Sequence, residues 1–163
     1  MYRAYDPSLY SLSKVGACFM MVLFGRSLSP SQFARSTLRL CGFVTFILRS
    51  TNLEEVVLFL ALHLLLRLRW RYPSHTVDSC QRAFLAAYML SSKVLLDHCY
   101  STKAWRRVTG DMYSLQDIND MERALCSLLE WDINVRATTM TSFREALLRE
   151  FGTLCVKNRG FHT

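Results

Sequence analysis

The chain has 163 residues, 51% apolar and 20% charged, with 20 Lys+Arg against 13 Asp+Glu for a net charge of +7. That length favours one domain, since chains divide mostly beyond about 250 residues. The apolar share supports a real core and excludes wholesale disorder, collagen and a coiled-coil rod, and a multidomain enzyme with its own cofactor domain is not expected.

The positive charge is mostly arginine, 16 Arg to 4 Lys. A basic balance fits nucleic acid or an acidic membrane. It fits a protein interface equally, because the planar guanidinium pairs with carboxylates and carbonyls at little dehydration cost. Six cysteines, at 18, 41, 80, 99, 126 and 155, contain no C-x-x-C pair, so no metal site is expected. They read as reduced, largely buried thiols.

Residues 1–28 read as an N-terminal extension, partly disordered or forming one docked helix. Within it Val15–Phe24, VGACFMMVLF, is apolar throughout. It has the length of a signal-peptide core, but the long lead before it, with Asp6 and three Tyr, does not suit one. Crossing a bilayer takes about 20 apolar residues. A soluble chain of nucleus and cytoplasm is the expectation.

From Ser29 the text becomes helical. Ser29-Pro30 predicts an N-cap and first turn, and the helix runs to Arg49. A second starts at Thr51 or Asn52, with Glu54 and Glu55 where the helix dipole favours acids, and ends in the Arg67–Arg71 cluster before Pro73. A third spans 77–98. A short one, 102–108, stops near Gly110, and Ser114 with Asp117 caps another that runs to Asp132. The last covers 140–151, stops at Gly152, and leaves 152–163 as a flexible tail. With almost no period-two alternation, the fold is read as all-α.

The helix over 77–98 is diagnostic. FLAAYMLSSKVLL, residues 84–96, carries Lys93 as its one charge and turns apolar side chains in every direction, as a helix surrounded by others does. The expected architecture is a five-helix bundle around this buried helix, residues 29–151, with an extra C-terminal helix.

Two charges break their local pattern. Lys93 sits among Ala86, Met89 and Leu96, and an ordinary reading pairs it with Asp97 one turn on. Glu122 projects into the sector of Leu115, Ile118, Met121, Leu125, Leu128 and Leu129, where Arg123, Arg82 or a loop amide would satisfy it. The other reading gives both to a docked partner helix, whose backbone they would grip. Charges beside apolar surface are costly unless paired, so an internal salt bridge and a partner are the two options.

The stretch RAFLAAYMLSSKVLLDHCYSTKAWRRVTGDMYSLQDINDMERALCSLLEWDINV, residues 82–135, resembles the second half of a cyclin box. The FLAA…SSK helix, the CYS…W connection and the helix SLQDINDMERALCSLLEW follow in the family's order, in the manner of the Pcl-type (phosphate-system-like) cyclins of fungi. The likeness is fainter over 29–75. The resemblance implies a single cyclin box without catalysis, cofactor or metal, which binds and activates a cyclin-dependent protein kinase as a heterodimer. It makes Lys93 and Glu122 the paired cyclin-box residues that hold the kinase segment before its C-helix. Leu96, Asp97, Tyr100 and Trp105 would extend the contact. The Arg clusters at 67–71 and 106–107 would steer an acidic kinase surface or phosphorylated and acidic substrates. One departure stands out: FARSTLRLCGFV, residues 33–44, lacks the Met-Arg-x-Ile-Leu…Trp docking pattern of cell-cycle cyclins.

The rivals are a basic helical nucleic-acid-binding domain and a membrane-associated adaptor. The helices are too apolar for a recognition helix, and the basic residues do not gather on one of them. For an enzyme, neither a phosphate-binding glycine loop nor a convergent Cys–His pair can be found.

Overall fold

The structure, a computed structural model, describes residues 6–157, the last four by backbone alone. These form α1 (Pro7–Phe24), α2 (Pro30–Thr51), α3 (Glu55–Arg71), α4 (Cys80–Leu95), α5 (Thr102–Val108), α6 (Leu115–Leu128) and α7 (Ala137–Lys157), with no strand among the described residues.

Side-chain caps set most of the starts. Asp6 accepts from the Ser8 hydroxyl and from the Ser8 and Leu9 amides ahead of α1, and these bonds, the hydroxyl's first, hold its carboxyl below the usual range. Ser29 and Gln32 form a full capping box on α2, and Ser114 and Asp117 form another on α6. Ser79 and Ser101 cap α4 and α5. Between α1 and α2, Gly25 is required by close approach, since a Cβ there would lie 2.7 Å from the Met21 carbonyl oxygen.

Two helices make the heart of the bundle. Every residue from Phe84 to Ser92 on α4 is buried, and so is every residue from Val57 to Leu65 on α3. The two pack against each other, α6 covers α4, and α1 covers α3. Sequence periodicity picks out α4 as central; α3 shares that position because VLFLALHLL, residues 57–65, hides its single polar residue, His63, at 4% exposure.

Residues 7–24 are seated in the same core. Val15, Ala17, Met20 and Met21 are buried, and Phe19 meets Phe143 and Phe151 of α7 edge-on, with centroids at 5.7 and 5.8 Å. By length and composition α1 is the one described helix able to cross a membrane. Val15, Phe19, Met20, Met21 and Leu23 are buried in it against neighbouring helices, while Val22 stays half-exposed.

The expected end of the last helix at Phe151 is a correction: α7 continues through Gly152 to Lys157. Mid-helix glycine costs about 1 kcal/mol, too little to stop a helix held by buried Leu147 and Phe151. Residues 158–163, the rest of the expected tail, lie outside the described residues, as do residues 1–5 of the extension.

Candidate functional site

The exposed end of α4 lies against the middle of α6, and there the two pattern-breaking charges meet. Lys93 Nζ donates to Glu122 Oε1 at 2.5 Å, with the two side chains 43% and 21% exposed. Neither Asp97 nor Arg82, two partners the sequence suggests, takes part in this pair. Asp97 is exposed and outside any ion pair among the described residues, while Arg82 goes to Asp117 at 3.9 Å and to the Tyr113 ring. Only a fold that brings α4 to α6 makes this pair.

Beside it opens a groove of about 360 Å³. Leu90 and Val94 line one wall, Asn119, Arg123 and Cys126 the other, and Trp131 and Ile133 close the end. Burial raises the Cys126 thiol pKa, and the Glu122 carboxylate raises it further, so the thiol stays neutral. The groove is mostly apolar, with the ion pair, Asn119 and Arg123 along one side and an indole 69% exposed at its mouth.

The remaining predicted site residues fall into two groups. Leu96 is the extended C-cap of α4, partly buried, with Asp97 following it at the surface. Tyr100 turns inward: its hydroxyl donates to the Thr51 carbonyl at 3.1 Å, and its ring packs on Trp105 at 5.3 Å. Trp105 is 1% exposed between Tyr100 and Tyr88. A fully enclosed indole has no surface to offer a partner, so Trp105 supports α5 from beneath and touches nothing outside.

The arginines of the 67–71 cluster are already engaged inside the molecule. Arg67, 18% exposed, donates to the carbonyls of Asp132 and Asn134 and to the Asp132 carboxylate. Arg71 pairs with Asp132 and Glu130, and Arg69 donates to the His75 carbonyl. Arg106 pairs with Asp111 at 2.7 Å.

Trp131 is the groove residue that sequence reasoning passes over. Its signal is its setting: an indole just past the end of α6, flanked by Glu130 and Asp132, cannot follow the helix into the core.

A family model described as "Cyclin, N-terminal domain" matches residues 29–134, a span that contains the whole groove. PHO85 cyclin-1 of Saccharomyces cerevisiae is 35% identical over 112 residues, covering 67% of this chain and 40% of that protein. PHO85 cyclin-2 of the same yeast is 26% identical over 99 residues, covering 59% of this chain and 32% of that one. The chain thus spans about two fifths and one third of these relatives' lengths. No solved structure matches.

Proposed function

The chain belongs to the cyclin family, and from that premise we propose that it is the regulatory subunit of a cyclin-dependent serine/threonine kinase, docked through the α4–α6 groove. The partner proposed is a kinase of the PHO85 type, after the names of the two yeast relatives. The observation that carries the reading is the Lys93–Glu122 pair at the rim of an apolar groove. An ammonium has three donors and a carboxylate about four acceptor sites, so each retains capacity for a docked backbone after their mutual bond. Leu90, Val94, Ile133 and Trp131 would receive apolar side chains of the docked segment, with Leu96 and Asp97 at the edge.

Activation then needs no chemistry from this chain. In protein kinases a Lys–Glu ion pair, with the Glu on the C-helix, must form before ATP is held productively. A subunit that binds the C-helix-in state more tightly moves the population towards it by its differential affinity. The nucleic-acid and membrane alternatives are not favoured. Arg67, Arg69 and Arg71, the densest basic cluster, are held by internal acceptors.

The test is capture of recombinant PHO85 by the full chain, followed by kinase assay. Lys93→Glu or Glu122→Arg should lose capture and activation by at least tenfold, with helical circular dichroism unchanged. If both variants bound and activated as the parent does, the proposed interface would be wrong.

A further inference from the structure

The connector after α6 holds two consecutive non-glycine residues in left-handed backbone, Glu130 at φ 50° and Trp131 at φ 60°. Such a residue is strained and persists only where the surroundings fix it. Part of the fixing is local: the Trp131 amide donates to the Cys126 carbonyl and the Glu130 amide to that of Ser127, both at 3.0 Å. The rest comes from α3. Arg67 Nη1 reaches the Asp132 carbonyl at 2.6 Å, its carboxylate at 3.1 Å and the Asn134 carbonyl at 3.1 Å. Arg71 holds the other Asp132 oxygen at 2.9 Å and Glu130 at 3.3 Å. The residues on either side of Trp131 are thus both tied to one helix. The indole between them is free of the core, 69% exposed, at the mouth of the groove.

Ion pairs to a half-exposed carboxylate contribute modestly to stability, so energy alone does not account for two part-buried arginines converging on Asp132. Their geometry does more: Arg67 Nη1 ties down two backbone carbonyls of the connector, while Arg71 spans the Asp132 and Glu130 carboxylates with its two terminal nitrogens. We infer that Arg67, Asp132 and Arg71 are a positioning clamp that presets Trp131 for the docked kinase segment. The inference rests on the groove being the kinase interface. Presetting lowers the ordering cost of binding, and a large aromatic at the edge of an apolar groove is the kind of residue through which such a saving is transmitted.

The test is a double-mutant cycle on PHO85 affinity with the full chain, together with fluorine NMR of chain labelled with 5-fluorotryptophan. Asp132→Ala should weaken binding about tenfold in the parent and less than twofold in a Trp131→Ala background. In the unbound chain the same change should shift or broaden the Trp131 resonance, identified by its loss in Trp131→Phe, and leave that of buried Trp105 in place. Arg71→Gln is the milder second variant, expected to move binding and resonance in the same direction. Equal losses in both backgrounds, or an unmoved Trp131 resonance, would overturn the clamp while Lys93→Glu still abolished binding. Full affinity in Lys93→Glu would overturn the interface and the clamp's role with it.

Discussion

The two buried helices leave the core differently. α3 emerges at Arg67, Arg69 and Arg71, and each of these is bonded within the chain, to carbonyls or carboxylates of the segments that follow. α4 emerges at Lys93, whose partner among the described residues, Glu122, sits with it on the rim of a groove. Similar chemistry serves opposite ends: arginine at the α3 exit builds the molecule, and lysine at the α4 exit is left facing outward. What separates them is the number of acceptors within reach, which a linear sequence does not display.

Behind these different exits the two helices share a buried interior. Phe84 of α4 is 0% exposed, stacked on Tyr88 at 5.4 Å and edge-on to Phe43 at 6.4 Å. Phe84→Ala should cost about 3–5 kcal/mol, through lost burial and the cavity left behind. Urea unfolding followed by circular dichroism reads this directly. A loss under about 1 kcal/mol would show that the α4 centre is not the packed heart of the bundle.

A charge exchange sharpens the contrast at the α4 exit. Lys93→Glu combined with Glu122→Lys keeps an ion pair between two partly exposed groups, so stability should stay within about 1 kcal/mol of the parent. PHO85 capture should remain lost, because the donor and acceptor facing a docked backbone have changed places. Capture restored by the double exchange would mean that the pair serves the chain alone.

How much of this could be read in the sequence divides along the same line. Ser29, Ser114 and Asp117 announce helix starts, and the unbroken apolarity of 84–90 announces a central helix, because capping and periodicity are local physics. Lys93 and Glu122 stand out as misplaced charges, and the cyclin resemblance pairs them. Their mutual bond, across 29 residues, is a tertiary fact, as is the engagement of Arg67 and Arg71 with Asp132. Trp105 misleads because aromatic residues suit core and interface equally; the fold puts it in the core by closing Tyr88 and Tyr100 over it.

His63 offers a test of the α3 interior by pH. It is buried at edge-on distance from Phe143 and Trp70, with Nδ1 unpartnered, and burial lowers its pKa below the ordinary 6.5, with nearby Arg67 adding to the effect. A depressed value means that the unfolded chain takes up the proton first. Stability is therefore full above 6.5 and falls as pH drops from 6.5 through the lowered folded value. Asp6 and Asp117, whose carboxyls are also depressed, lose their contributions only at lower pH, below the ordinary 3.8. Urea midpoints at pH 7.5 and 5.5 should differ in the parent and converge in His63→Leu; a difference that survived the substitution would place the titrating group elsewhere.

The smallest effect belongs to Arg144 on α7, which reaches Glu55 at the start of α3 with 44% and 48% of the two side chains exposed. As a surface pair it should contribute about 0.2–1 kcal/mol. Its guanidinium also lies 5.3 Å from the centroid of the Phe59 ring, a contact that salt screens less than the ion pair. Arg144→Ala tests both contributions. If the ion pair dominates, its cost should vanish in 1 M NaCl, where the Debye length is about 3 Å. If the aromatic contact and the packed stem dominate, the cost should persist in salt, and Arg144→Met should recover part of it through its own apolar stem. Because Phe59 is itself buried, the second outcome is expected, with at least half the loss remaining in high salt. That outcome would put Arg144 with the arginines of the α3 exit, as a cation held by the chain's own fold.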